Sequence, residues 1–324
     1  MSAQQQQQEE EPSSNSNSII TAPDPPIDHF ERHGYLFGYP IAHSYSPLVH
    51  NTVFEEVGLP WGFQLLESTD ISQFLRLLKD ERLYGSAVTM PHKVSIIPHL
   101  DGLTPSGRAV GAINTIYLDA NQKYIGTNTD TIGVRESFFQ NIPNPSSVFL
   151  HRPGLVIGGG GAARSAVYAL VQFLKCEIVY LVNRDAAEVE AVMAWCRAEG
   201  YGKGLVHVKS VEQAEALEGP GAIVACVPNF APVTEEEREA RRIAERFLNK
   251  EHKGAMLEMC YHPSPWTELG RLAEEAGWKV ILGTEAMIYQ AFAQHTLWHG
   301  RTVEELPVER VKSVVAHALS QAKL

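Results

Sequence analysis

At 324 residues the chain is too long for one ordinary hydrophobic core and comfortable for two, and its 44% hydrophobic and 20% charged residues describe a globular protein. A net charge of −11 with no basic cluster argues against nucleic acid or an anionic membrane as main partner, and no window reaches the roughly 18 to 20 apolar residues of a membrane span. Cys176, Cys196, Cys226 and Cys260 lie far apart without a CxxC pair, which supports neither a zinc site nor a disulfide framework and suits a reducing cytoplasm.

The opening MSAQQQQQEEEPSSNSNS has neither the basic start nor the apolar centre of a secretory signal. Gln, Glu, Ser, Asn and Pro bury too little apolar surface to offset ordering entropy, so residues 1–28 are expected to be disordered. A first strand is expected at 34–41 (GYLFGYPI), then a loop at AHSYSP and a helix over 48–59 that stops at Gly58. A second strand follows at 61–68 and an amphipathic helix over 70–83 with Asp70 as N-cap. YGSAVTM is a third strand, and PHKVSIIPHL a short helix with Pro91 in its first turn. Residues 112–119 and 123–130 read as a hairpin-like pair around Ala120 and Asn121.

After the turn-rich NIPNPSS the pattern restarts. GLVIGGGGAARSAVYALVQFL is strand, glycine turn and helix; further strands are expected at EIVYLVNR, AIVACVP, GAMLEMCY and KVILG, with helices at 186–200, 266–277, 285–300 and 307–323. Strands alternating with helices predict an α/β protein of two domains, the second a doubly wound dinucleotide fold. Gly158, Gly160, Gly161, Ala162 and Ala163 form the turn, whose chemistry is a tight bend, close backbone approach to a pyrophosphate, and a helix N-terminus that favours the anion. At the end of the next strand stand Asn183, Arg184 and Asp185. An Arg there accommodates the phosphate of NADP and an acid bonds the ribose of NAD, so the adjacent pair leaves NAD or NADP open.

Three polar clusters fall at strand ends or loops: Ser44 and Ser46; Thr89 and Lys93; Asn114 with Asn128 and Asp130. Ligands of open α/β sheets lie outside the carboxyl ends of the strands. Hydroxyls, a carboxamide and an amine converging there suit a small polyhydroxylated ligand. A lysine amine within hydrogen-bond reach of a carbinol oxygen can take its proton or return it.

The motifs GYPIAHSYSPLVHN, AVTMPHK, VGAINTI, GTNTDTIGV, GGGGAARSAVYAL, VNR and AMIYQAFAQHTLWHG resemble, in order and spacing, those of the shikimate and quinate dehydrogenases, from about Gly34 to Gly300. The resemblance implies Lys93 and Asp130 as the catalytic pair, and Ser44 and Ser46 as binders of a substrate carboxylate. It implies Thr89, Asn114 and Gln290 on substrate hydroxyls, and the glycine turn with Asn183 and Arg184 on cofactor. The expected reaction is reversible NAD(P)-dependent hydride transfer between shikimate or quinate and the 3-dehydro acid. The expected layout is a substrate domain of residues 29–128 with 287–324, and a Rossmann-type domain of residues 129–286 between them. Shikimate is slightly favoured by the two serines and Thr89. A quinate-specific NAD enzyme is the close alternative, and a non-catalytic quinate or shikimate sensor the alternative of another class. The expected state is a monomer or homodimer without a metal. His295 and His299, four apart, have a metal-capable spacing but no accompanying Glu. Departures from the family pattern are Cys226 and Val227, Glu258, Glu285 with Ala286, and Asp185 after Asn-Arg.

Overall fold

The computed structural model describes residues 19–262 and 264–321. Its first half is built on β1 (Arg32–Gly38), α1 (Ser46–Glu56), β2 (Trp61–Glu67), α2 (Ile71–Leu77), β3 (Leu83–Val88) and α3 (His92–Ser95). It continues through β4 (Gly102–Leu103), α4 (Pro105–Val110), β5 (Thr115–Leu118) and β6 (Tyr124–Thr127). These strands form one sheet in the order β2-β1-β3-β5-β6-β4. β1 pairs parallel with β2 and β3, whereas β5 is antiparallel to β3 and β6, so the hairpin expected around Ala120 forms within a mixed sheet.

The second half runs α5 (Asp130–Asn141), α6 (Pro145–Val148), β7 (Gly154–Ile157), α7 (Gly161–Gln172), β8 (Val179–Val182), α8 (Ala186–Ala198) and β9 (Leu205–His207). Then come α9 (Val211–Ala216), β10 (Ala222–Ala225), α10 (Glu235–Leu248), β11 (Ala255–Glu258), α11 (Glu268–Glu275), β12 (Lys279–Leu282), α12 (Gly283–His299) and α13 (Val308–Gln321). All strands of this sheet are parallel, in the order β12-β11-β10-β7-β8-β9. The winding reverses between β7 and β10, which opens a crevice where a dinucleotide fold binds its ligand. Val156, Leu181 and Val224 pack one face and Leu155, Tyr180 and Ile223 the other, so these strands read as continuous apolar runs.

Several expectations are corrected. The disordered reading of residues 1–28 falls partly outside the described residues, but residues 19–28 are placed. Ile20 accepts from Thr69 N at 2.8 Å, Gln64 donates to Pro26 O at 2.7 Å, and Arg76 pairs with Asp24 at 2.7 Å. Partnered backbone groups and the partly buried Ile27 hold a segment whose composition alone would not. Ser46 is not in a loop but opens α1, with Pro47 in the first turn. The helix expected over 91–100 breaks into α3 and a 3-10 turn at Ile97–His99, because Pro98 cannot continue the α-helical ladder.

Two long helices were not foreseen. α10 is densely charged and buries only Ile243, Ala244, Phe247 and Leu248, and its readable signal is the capping box of Thr234 and Glu237. α5 runs from the first sheet into the second half and packs along α12. A Cβ on Gly133 would lie 2.5 Å from the Ala286 carbonyl oxygen, so the two backbones approach as only glycine allows. α12 is one helix from Gly283, and the expected domain line at residue 287 falls inside it.

Candidate functional site

A cavity of about 350 Å³ opens beyond the carboxyl ends of β1 and β3, walled on its far side by α12 and the segment after β11. Ser44, Ser46, Thr89, Lys93, Asn114, Asp130 and Gln290 all line it. Elements far apart in the chain converge here. α3 brings Lys93 and the first turn of α5 brings Asp130, placing Lys93 Nζ 2.5 Å from Asp130 Oδ2 with the two side chains 21% and 14% exposed. The β5–β6 register of Thr115 against Thr127 sets Asn114 beside the chain that enters α5. Asn114 Nδ2 donates to Asp130 Oδ1 at 2.8 Å and to Gln290 Oε1 at 3.1 Å, while Asn114 Oδ1 accepts from Thr129 N at 2.7 Å and from the Thr115 hydroxyl at 2.9 Å. The carboxylate is therefore clamped on both oxygens, one by an amine and one by an amide.

Ser44 Oγ donates to Ser46 Oγ at 3.1 Å, and Glu67 fixes their loop by accepting from Ile41 N at 2.9 Å and Ala42 N at 3.2 Å. Asn128, grouped with this cluster on sequence, is spent elsewhere. It donates to Ala112 O and Ser165 Oγ, accepts from Thr131 N, and does not line the cavity. Tyr39, Met259, Tyr261, Met287 and Gln294 also line it; none was singled out on sequence, although Tyr39, Met287 and Gln294 stand inside the quoted motifs.

The glycine turn reaches this cavity through two contacts. A Cβ on Gly158 would meet Cys226 at 3.1 Å, and Cys226 Sγ lies 3.5 Å from the sulfur of Met259, a wall residue. Burial raises the Cys226 thiol far above its ordinary range, which keeps it protonated. Gly158 has φ +134, open space lies where Cβ atoms of Gly160 and Gly161 would stand, and α7 begins with no side-chain cap. A bare helix N-terminus beneath side-chain-free backbone fits a pyrophosphate. Ala162 is half-buried beside it; Ala163 is fully buried and brings α7 close to the sheet.

At the end of β8, Asn183 donates to Glu188 at 2.6 Å across Gly159. Asp185 caps α8 by accepting from Ala187 N at 2.8 Å. Arg184 is ion-paired with Glu237, whose carboxyl is lowered to about 2, first by the amides of Val233 and Thr234 and then by Arg184. Glu237 went unnoticed on sequence because it sits on the unforeseen α10.

Glu258, at the end of β11, is buried and accepts from the Thr267 hydroxyl at 2.7 Å and Cys260 N at 3.1 Å. Burial, the dominant influence, raises its carboxyl from 4.5 to about 7. The folded state thus holds a proton that the unfolded chain releases earlier. Stability from this group is full below pH 4.5 and is lost as the pH rises to about 7, by up to about 3 kcal/mol. Glu258→Gln is expected to raise the urea midpoint at pH 8 and leave it nearly unchanged at pH 4.5, measured by denaturation at the two pH values. Glu285 has a structural part too: it accepts from Lys312 at 3.0 Å and Asn141 at 3.2 Å, tying α12 to α13 and α5.

Residues 36–116 match the family described as the shikimate dehydrogenase substrate binding domain. The chain is 44% identical over 309 residues to a quinate dehydrogenase of Emericella nidulans, covering 89% of this chain and 94% of that protein. It is 35% identical over 281 residues to the pentafunctional AROM polypeptide of Scheffersomyces stipitis; that match takes in 83% of this chain but spans only 17% of the polypeptide's length. The solved shikimate 5-dehydrogenase of Thermus thermophilus, in complex with NADP(H) and shikimate, aligns with a TM-score of 0.70 at 26% identity, over 89% of this chain and 100% of that one. Among the described residues no helix is long and apolar enough to cross a membrane.

Proposed function

We infer, since the chain belongs to the shikimate and quinate dehydrogenase family, that this NAD(P)-dependent dehydrogenase oxidises quinate to 3-dehydroquinate with NAD and runs the reverse reduction. The observation that carries the reading is the Lys93–Asp130 pair on the wall of a cavity that also gathers Ser44, Ser46, Thr89, Asn114 and Gln290. The 44% identical relative moves the choice of ring acid from shikimate toward quinate, and weighs against the sensor alternative. Residues 29–128 with the C-terminal helices are assigned to substrate, and the intervening chain to the dinucleotide.

Oxidation of a carbinol requires the hydroxyl proton to leave as the C–H bond gives up its hydride. Lys93 takes that proton, and in the reverse direction its ammonium delivers one to the forming alkoxide. Asp130 holds the amine in place through one oxygen while Asn114 fixes the other. The Ser44 and Ser46 hydroxyls bind the ring acid's carboxylate; Thr89, Asn114 and Gln290 take its hydroxyls and set which carbon faces Lys93. The nicotinamide, when bound, supplies the two-electron acceptor or donor, and the turn of residues 158–163 holds its pyrophosphate.

Charge favours NAD over NADP. Arg184 is ion-paired with Glu237, and Asp185 beside it would repel a ribose phosphate and suit a ribose hydroxyl. Asp185→Ser keeps a capping oxygen and removes the charge. It is expected to shift the NAD/NADP ratio of kcat/KM toward NADP by about tenfold or more, equivalent to about 1.4 kcal/mol. The reading as a whole is tested by reduced-nicotinamide absorbance with quinate and shikimate, each with NAD and NADP. Quinate with NAD is expected to give the highest kcat/KM. Binding of quinate without turnover in any pair would favour the sensor.

A further inference from the structure

Behind the cavity stands a hydrogen-bonded structure that the reaction above leaves unused. His50 Nδ1 lies 3.0 Å from His295 Nε2, and His295 Nδ1 lies 3.0 Å from His299 Nε2. His50 is on α1, one turn beyond Ser46; the other two are on α12, beyond Gln290. Phe54, Phe63 and Trp298 pack around the rings, and His50 and His295 are fully buried.

The outer end sets the polarity of the file. Arg301 N donates to His299 Nδ1 at 3.4 Å, so a neutral His299 carries its proton on Nε2 and donates it to His295 Nδ1. By the same step His295 donates from Nε2 to His50, whose own proton then sits on Nε2. Burial keeps the rings uncharged: it lowers His50 to about 3 and His295 well below the ordinary histidine range. His50 Nε2 is thereby a buried donor without a partner, and Gln294 Oε1 is a buried acceptor without one. Gln294 is also the side chain that acts on the His50 imidazole, so the two unpaired atoms are chemically complementary neighbours. The direction continues inward. Gln294 Nε2 donates to Thr115 Oγ1 at 2.9 Å, Thr115 donates to Asn114 Oδ1 at 2.9 Å, and Asn114 donates to Asp130 at 2.8 Å.

We propose that the His50–His295–His299 file is a positioning element for the reacting pair: by offering an N–H to Gln294 Oε1, it favours the amide orientation that turns the Thr115 hydroxyl toward Asn114, and so adds to the Thr129 amide in holding Asn114 Oδ1 while the Asn114 N–H faces Asp130. A reversed Gln294 would face Thr115 with its carbonyl and draw the hydroxyl proton away from Asn114. None of the three rings lines the cavity. The proposal rests on the reading of Lys93 and Asp130 as the groups that move the proton.

The polarity is read directly by nitrogen NMR of the 15N-histidine-labelled full chain. His50, His295 and His299 are expected as neutral Nε2–H tautomers at pH 7, and an Nδ1–H or charged ring at any of them would overturn the proposal. His295→Phe keeps an aromatic ring and removes both nitrogens; Gln294→Met removes the amide. In each, kcat is expected to fall about tenfold with KM for quinate and NAD within about twofold, and the Asn114 side-chain amide resonance to shift. Wild-type kcat and an unmoved Asn114 resonance in both variants would also overturn it. An inactive wild-type chain would instead sink the dehydrogenase reading, and the tautomers would still decide the file.

Discussion

Lys93→Met is expected to lower kcat for quinate oxidation by about 10²- to 10⁴-fold, the range that a positioned proton-transfer group contributes. Methionine keeps most of the apolar stem, so the wall of the cavity stays filled while its amine is lost. Asp130 then keeps its Asn114 bond but loses its cation. Substrate affinity should change far less than turnover, because the serines, Thr89 and Gln290 are untouched. The measurement is kcat and KM from reduced-nicotinamide absorbance, with circular dichroism to establish that the variant folds. Turnover at the wild-type rate would remove Lys93 from the mechanism.

Gly133→Val should be the most damaging substitution for stability near the site. Two effects oppose each other. Replacing a helical glycine gains under about 1 kcal/mol of intrinsic helix propensity. Against this, the new Cβ would stand 2.5 Å from the Ala286 carbonyl oxygen and 3.1 Å from Gln290 Cβ. A backbone carbonyl cannot swing aside as a flexible side chain can, so α5 and α12 must separate, and overpacking of this kind costs about 1–3 kcal/mol or more. Steric loss wins. Urea denaturation should show a lower midpoint, and kcat should fall as well, because α5 carries Asp130 and α12 carries Gln290. An unchanged midpoint would mean that the seam has room that its geometry denies.

How far the sequence alone reached depended on the range of the interactions. Local chemistry was legible: Asp70 caps α2 as expected, accepting from Ser72 N at 2.8 Å, and the glycine turn sits between β7 and α7. The candidate residues Lys93 and Asp130, 37 positions apart, could be named from motif order, but only the pairing of β5 with β6 explains how the Asn114 side chain meets Asp130. Asp185 shows a limit of another kind. On sequence it was a candidate ribose ligand, and in the fold the same carboxylate also caps α8, a task that any Ser, Thr or Asn could perform. α10 escaped because its charges mask a four-residue apolar stripe, and Glu237 was hidden with it. The His50–His295 contact spans 245 positions, and nothing in either neighbourhood announces it.

The close seam between α5 and α12 has a mechanical consequence. Both helices run from one sheet toward the other and touch at Gly133 and Ala286, so a swing of one half against the other, were it to occur, is expected to turn about that seam as its axle. Asp130 lies one turn from that axle on α5, and Gln290 one turn from it on α12. Points near an axle travel least. The outer rim, where His43 stacks on His262 at 4.2 Å between ring centres, sits at the end of a longer lever arm and would sweep a wider arc in such a swing. A swing about this seam would widen the entrance while the acid–base machinery keeps its alignment.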